Sequence, residues 1–175
     1  MNYTIESPTT NDTLELATMH NQSWHETYPN EALGIDGAYI ETQIAHRLSE
    51  KGLLRRESMI LFSHDDPSYF LRIARDESGK IVGFIDGHFK DDEYSLDGLY
   101  TLKNTHGTGL GKQLWETFLL WAGDHDIQLT VTTYNERAKA FYKKAGFVEK
   151  PGTERTFGST IIPVIDMDRV STKQL

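Results

Sequence analysis

The spacing of apolar and polar residues along this chain changes period twice. A short alternating run at Met1–Glu6 predicts a first strand, and apolar positions then recur every three or four residues up to about residue 50. This helical period predicts one helix that follows the capping oxygens of Thr10–Asp12 and runs toward Trp24. A second helix is predicted over Gly37–Glu50.

The middle of the chain carries short runs that are typical of strands. Met59–Phe62, Tyr69–Ala74, Ile81–Ile85 and Tyr94–Leu102 each predict one strand. The polar cluster Asp76–Lys80 separates the second run from the third, so we expect these two strands to pair as a hairpin.

The last third of the chain alternates between helix and strand. One apolar stripe at helical spacing covers residues 110–121 and another covers 138–145, with Asn135 as the N-cap of the second helix. Leu129–Thr133 lies between them and Ile161–Ile165 follows, and both runs predict strands. Strands followed by such a βαβα unit predict an α/β layered domain.

Composition narrows the classes of function. A chain of 175 residues without cysteine has no disulfide, no thiolate zinc site and no cysteine nucleophile, and it suits a reducing compartment. The net charge of −8 disfavours nucleic acid and anionic membranes as partners, and it is compatible with a cationic substrate. Because no long apolar run or signal-peptide pattern is visible, we expect a cytoplasmic protein with one domain over residues 1–175.

A glycine-rich segment, His106–Gly111, leads into the helix that is predicted to begin near Gly109. Glycines let the backbone approach a ligand closely, and the free N–H groups of a helix start, with the helix dipole, favour a pyrophosphate. A dinucleotide fingerprint would need glycine where Lys112 stands, and a P-loop would need glycine at His106 and Ser or Thr at Gln113. Neither motif fits, and the glycines alone leave open a helix start without a ligand.

The segment resembles the [Q/R]-x-x-G-x-G/A signature of the GCN5-related N-acetyltransferase (GNAT) superfamily. His106 stands where Gln or Arg is usual, and Gly109 and Gly111 match the two glycines. Leu99–Leu102 is similar to the fourth strand of that family, and Val131–Phe147 to its following strand and N-x-x-A-x-x-F-Y-x-x-x-G-F helix. The resemblance covers nearly the whole chain, and the combination of the blocks carries it.

The resemblance implies a layered fold with a mixed, mostly antiparallel, twisted sheet of about six or seven strands and about four helices. It implies acetyl-CoA as co-substrate and no metal. The pyrophosphate is assigned to the backbone of Gly107–Lys112, and the His106 side chain is left without a role. The residues expected at acetyl-CoA are Leu99, Tyr100, Thr101, Leu102, His106, Gly107, Thr108, Gly109, Leu110, Gly111, Lys112, Asn135 and Tyr142.

Direct attack of an amine on acetyl-CoA, in a complex that holds both substrates, needs an acid and a base. The resemblance makes Tyr142 the general acid toward the CoA sulfur, although its spacing also fits a packing residue on the helical stripe. Glu93 and Asp97 lie on one face of the predicted strand because alternate residues point the same way. Asp97 is the first candidate for the base and Glu93 the second, and a solvated carboxylate remains the alternative for each.

The acceptor is expected to contact Trp24, His25, Glu26 and Tyr28, whose rings and carboxylate suit a cationic amine. Core packing is the alternative for Trp24. Similarity to members that act on polyamines favours a polyamine or another small amine. Acetylation of a protein N-terminus or lysine, or a non-catalytic acyl-CoA sensor, are the alternatives. Relatives also imply a homodimer.

Overall fold

Residues 2–171 are described by the computed structural model, so Met1 of the first predicted strand lies outside the described residues. These residues form five helices, which are α1 (Thr13–Thr27), α2 (Gly37–Ile44), α3 (Glu50–Asp65), α4 (Leu110–Ala122) and α5 (Glu136–Lys144). They also form eight strands, which are β1 (Thr4–Glu6), β2 (Tyr69–Arg75), β3 (Ile81–Lys90), β4 (Glu93–Thr101), β5 (Ile127–Thr132), β6 (Val148–Glu149), β7 (Arg155–Thr156) and β8 (Pro163–Arg169).

All strands join one sheet in the order β1-β2-β3-β4-β5-β8-β6, and β7 also pairs with β8. Every pairing is antiparallel except the one between β4 and β5. The predicted mixed, mostly antiparallel α/β fold is therefore confirmed. The two-residue strands β6 and β7 and the separate helix α3 bring the described counts to eight strands and five helices.

Helices cover both faces of the sheet. On β3, Phe84 packs against His20 of α1, with ring centroids 4.9 Å apart. Gly83 and Gly87, which lie one and three residues away from Phe84 along β3, face α4, where an added Cβ would lie 3.3 Å from Leu114 and 2.6 Å from Phe118, respectively. Because neighbouring strand residues point to opposite faces, α1 and α4 lie on opposite sides of the sheet.

The predicted strand Met59–Phe62 is wrong, because these residues lie in α3. The helix begins after Ser49, whose hydroxyl accepts the Gly52 N–H at 3.2 Å. Within the run, Ile60 is fully buried whereas Leu61 and Phe62 are 47% and 57% exposed. A single buried residue in an apolar run is the pattern of a helix edge. The second helix is also shorter than predicted, since α2 ends at Ile44 and residues 45–48 form a 3-10 turn.

The two C-terminal helices match their predictions closely. α4 begins at Leu110 and buries the predicted stripe toward the sheet. α5 begins after Asn135, whose side-chain oxygen accepts the Ala138 N–H at 3.1 Å, so Asn135 is the N-cap as predicted. The last predicted strand, Ile161–Ile165, is displaced toward the C-terminus and is observed as β8.

A gap opens in the middle of the sheet between β4 and β5. The two strands pair at three positions, the last of them Leu96 opposite Leu129. Asp97 has no partner in the β3–β4 register, because Leu96 lies opposite Gly87 and Gly98 opposite Asp86. This is a β-bulge, which bends the strand that carries it. β5 continues to pair with β8 as far as Thr132, whereas its pairing with β4 ends at Leu96, directly before the bulge.

Candidate active site

The gap between β4 and β5 is the centre of a cavity of about 810 Å³, a volume that is ordinary for a small-molecule site. Four segments contribute most of its lining: residues 95–101 of β4, the turn 105–112, residues 128–132 of β5, and 135–144 of α5. Trp24 and Tyr28, from the end of α1, also line it. Past the bulge, the β4 edge that faces β5 has backbone groups without a strand partner in the described chain.

The glycine-rich turn gives the cavity an anion-binding end. Gly107 and Gly109 have φ angles of +79° and +89°, which disfavour any residue with a side chain. α4 starts at Leu110, and Gln113 donates the first helical bond, to the Gly109 carbonyl at 3.1 Å. The N–H groups of Leu110, Gly111 and Lys112 therefore precede the helical hydrogen-bond ladder, and these residues line the cavity. A helix start of this kind favours a phosphate group.

Most residues predicted to contact acetyl-CoA line this cavity, and two do not. Thr108 lies outside the lining; its hydroxyl donates to the Thr105 carbonyl at 2.7 Å and accepts from the Tyr3 hydroxyl at 3.0 Å. Leu102 is buried, and its N–H donates to the Val82 carbonyl at 2.9 Å. These two positions hold the turn against the sheet. The cavity-lining residues of the predicted set are Leu99, Tyr100, Thr101, His106, Gly107, Gly109, Leu110, Gly111, Lys112, Asn135 and Tyr142.

Cationic side chains lie near the same end of the cavity. Lys112 is exposed and pairs with Glu116 at 3.6 Å, whereas Arg137 lines the cavity from the first turn of α5. Burial lowers the pKa of Arg137 below its ordinary value, which still leaves a guanidinium charged at neutral pH. Sequence reasoning missed Arg137, although its position two residues after the Asn135 cap was a usable signal. His106 also lines the cavity, and its Nε2 atom is buried without a hydrogen-bond partner in residues 2–171.

Tyr142 reaches the cavity from α5 and is 8% exposed. Its ring packs between Phe141 and Phe147, with centroids 5.4 and 5.7 Å away, so the ring has few alternative positions. Burial, with a smaller contribution from Tyr100, raises the pKa of Tyr142 above that of an ordinary phenol. The hydroxyl therefore keeps its proton at neutral pH, which a proton donor requires.

The two predicted base candidates lie in different environments. Asp97, at the bulge, lines the cavity, and its Oδ2 atom lies 2.7 Å from Nδ1 of His88. Burial raises the pKa of Asp97, and the contact with His88 opposes this increase. Glu93 lies outside the cavity lining at the start of β4, where its carboxylate accepts a hydrogen bond from Gln128 at 3.0 Å.

The predicted acceptor residues divide in the same way. Trp24 and Tyr28 line the cavity, with ring centroids 4.5 Å apart, and Trp24 is also buried, so packing and lining coexist. His25 is outside the lining and lies 2.9 Å from Glu41. Glu26 accepts the Lys103 N–H at 2.7 Å and lines a separate depression of about 200 Å³.

Two further charged residues, Arg47 and Asp86, were not predicted from the sequence. The Arg47 guanidinium lies 4.1 Å from the centroid of the Trp24 ring, and its Nη1 atom is buried without a partner in the described chain. Asp86 of β3 lies opposite Gly98, and its Oδ1 atom is likewise buried and unpaired within residues 2–171. The local sequence pattern does not indicate a role for either residue, because the role depends on contacts with segments that are distant along the chain.

The model of the Acetyltransferase (GNAT) family matches residues 18–147, which run from within α1 to the end of α5 and include most of the lining of the cleft between β4 and β5. The chain belongs to this family. A curated relative, the L-2,4-diaminobutyric acid acetyltransferase of Chromohalobacter salexigens, is 34% identical over 95 residues. The matched segment covers 50% of this chain and 50% of that relative, so the chain spans about half the length of the relative.

Solved structures share the fold over nearly the full chain. The PaiA N-acetyltransferase of Thermoplasma acidophilum, in complex with coenzyme A, has a TM-score of 0.76 at 23% identity and covers 97% of this chain and 99% of its own. A spermidine N-acetyltransferase SpeG chimera from Vibrio cholerae has a TM-score of 0.66 at 15% identity, with 99% and 98% covered. At these identities the likeness shows the GNAT fold alone. No helix within residues 2–171 is both long and apolar enough to cross a membrane.

Proposed function

We propose that this GNAT protein transfers an acetyl group from acetyl-CoA to a primary amine of a small molecule, by direct attack in a complex that holds both substrates. One observation carries the proposal: a single cavity in the gap between β4 and β5 is lined both by the start of α4 and by Tyr142. A long ligand with a phosphate end and a reactive end suits such a cleft.

The groups along the cleft fit acetyl-CoA. The unpaired edge of β4 past Leu96 offers N–H and C=O groups to the two amides of the pantetheine arm. The N–H groups at the start of α4, with Lys112 and Arg137, suit the diphosphate. Acetyl-CoA supplies the acetyl group as a reactive thioester; the protein binds it, orients it and moves protons.

Tyr142 is the proposed proton donor to the departing sulfur. Tyr142 lines the cavity, and its raised pKa keeps the hydroxyl protonated. A carboxylate beside the bulge is the proposed proton acceptor from the amine. Asp97, the first candidate from sequence, lines the cavity there, whereas Glu93 lies outside the lining.

A polyamine is the first acceptor candidate. The net charge of −8, the Asp97 carboxylate and the rings of Trp24 and Tyr28 all favour a cation. A diamino acid is the second candidate, because Arg47 carries a buried, unpaired Nη1 atom above Trp24 that a carboxylate would satisfy. The curated relative named for L-2,4-diaminobutyric acid points to the same class.

The test is thiol release from acetyl-CoA with spermidine, 2,4-diaminobutyrate, a peptide amine and an aminoglycoside as acceptors. We expect turnover with a small amine. Arg47→Met then separates the two candidates, since it should raise KM for diaminobutyrate and leave KM for spermidine unchanged. Turnover on the peptide alone indicates a protein acetyltransferase. Calorimetric binding of acetyl-CoA without turnover on any amine indicates a sensor and contradicts the proposal.

A further inference from the structure

Asp86 lies beneath the β4 bulge, where the sheet backbone separates it from the cavity by a single glycine. Its strand partner is Gly98, which lines the cavity. A Cβ atom added to Gly98 would lie 2.6 Å from Asp86 Oδ1 and 2.9 Å from Tyr100 Cε2. Any side chain at this position would therefore collide with Asp86 and Tyr100, so glycine is what lets the Asp86 carboxylate pack against the cavity lining.

The carboxylate of Asp86 is deeply placed but not paired. The side chain as a whole keeps some exposure, whereas Oδ1 is buried and has no hydrogen-bond partner in residues 2–171. Arg56 of α3, whose charge acts on Asp86, has its Nη2 atom 2.8 Å from Nδ1 of His20. A buried polar atom left without a partner is costly, and it is expected where a ligand supplies the missing donor.

Several charged or titratable groups face Asp86, and they act in opposite directions. Burial and the negative charge of Asp97 raise the pKa of Asp86 to about 7, and Arg56 and His88 oppose the increase. From β2 the residue opposite is the apolar Leu71. The titratable and charged neighbours from the packed elements are Asp97 and Tyr100 of β4, His88 of β3, Arg56 of α3 and His20 of α1.

We infer that Asp86, which packs directly against Gly98 of the cavity lining, is the group that accepts the proton of the acceptor amine, and that Asp97, held by His88, is a positioning residue beside it. The inference rests on the proposed function and names the base within it. It replaces Asp97 in that role, because one Asp97 oxygen already lies 2.7 Å from His88, whereas Asp86 Oδ1 has no partner in the described chain.

The proton and electron balance is complete with these residues. The bound ammonium gives one proton to Asp86, and the neutral nitrogen forms a bond to the thioester carbonyl carbon. The carbon–sulfur bond breaks, and the Tyr142 hydroxyl donates its proton to the sulfur. The proton that the nitrogen loses as the amide forms restores the Tyr142 hydroxyl, and Asp86 releases its proton to water.

The test compares the pH profile of kcat for Asp86→Asn and Asp97→Asn, with the same acceptor for each. The wild type should lose activity below about pH 7, where Asp86 is protonated. Asp86→Asn should lower kcat by about 10²-fold or more and remove this acidic limb. Asp97→Asn should keep the limb but move it to lower pH, because loss of a nearby negative charge lowers the pKa of Asp86.

A measurement independent of turnover guards against a folding defect. The carboxyl carbon of Asp86, followed by ¹³C NMR in the CoA-bound wild type, should titrate near pH 7. Acetyl-CoA affinity of Asp86→Asn should stay within about threefold of wild type, as expected when the cofactor site is intact. An acidic limb that survives Asp86→Asn, or vanishes in Asp97→Asn, overturns the inference. A wild type that acetylates no amine instead overturns the proposed function.

Discussion

The two ends of the cleft are built from different chemical groups: backbone groups at one end and side chains at the other. At the acetyl-CoA end, the unpaired β4 edge and the start of α4 present backbone N–H and C=O groups. At the acceptor end, the groups are side chains from distant segments: Arg47 lies over the Trp24 ring, and Asp86 lies opposite Gly98. Backbone groups are fixed by the fold, so we expect the proposed acetyl-CoA end to tolerate an unusual side chain such as His106. The acceptor end changes with each substitution.

The largest effect should come from Tyr142, which serves both ends. Tyr142→Phe removes the proposed proton donor and keeps the ring packing, so kcat should fall by about 10²-fold or more. Acetyl-CoA affinity, measured by calorimetry, should stay nearly unchanged. Tyr94→Phe, on the outer part of β4 against Trp121, is the matched control and should keep full activity. Equal kcat values for the two variants would remove Tyr142 from the chemistry.

A pair of glycines tests whether backbone geometry governs the acetyl-CoA end. Gly109 has a φ of +89°, so Gly109→Ala imposes about 1–2 kcal/mol of strain and should weaken acetyl-CoA binding by roughly tenfold. An added Cβ at Gly111 would make only ordinary contacts at 3.9 Å with Leu99 and Phe141. Gly111→Ala should therefore bind acetyl-CoA as the wild type does. Equal affinities for the two variants would contradict a backbone-built site.

The smallest effect is expected at the acceptor end. Trp24→Phe keeps an aromatic ring but weakens the contact with Arg47 and removes the indole N–H bond to His20 at 3.1 Å. The acceptor KM should rise roughly two- to fivefold, in line with a loss of about 0.5–1 kcal/mol. Trp121→Phe, whose indole donates to the Pro67 carbonyl, is the control. A change in acetyl-CoA affinity in Trp24→Phe would show that Trp24 also serves the acetyl-CoA end and would contradict the division of the cleft into two ends.

Local patterns predicted the elements around the anion-binding end of the cavity well, for a physical reason. The apolar stripe of α4, the Asn135 cap of α5 and the positive-φ glycines depend on neighbours within a few residues. The strand predicted at Met59–Phe62 failed because a four-residue apolar run has no period of its own. The Ser49 cap ten residues earlier was the better signal.

The acceptor end was predicted only in part. Trp24 and Tyr28 line the cavity, but His25 and Glu26 face other partners, because successive helical residues point in different directions. Asp86 is one acidic residue in an apolar strand, and its importance arises from Gly98, which lies opposite it through the β3–β4 register. Strand register and tertiary contacts cannot be predicted from the local spacing of residues.

Because the cleft between β4 and β5 is the proposed ligand site, a bound ligand also affects how the stability of this protein should be measured. A ligand that binds the folded chain and not the unfolded one adds RT ln(1 + [L]/Kd) to the free energy of unfolding, about 2.7 kcal/mol at a hundredfold excess over Kd. The melting temperature of this protein then reports the free cofactor as well as the packing. The deficit in melting temperature of a variant such as Gly109→Ala, relative to the wild type, would be larger with acetyl-CoA present than without it. Thermal comparisons between variants therefore need a fixed cofactor concentration.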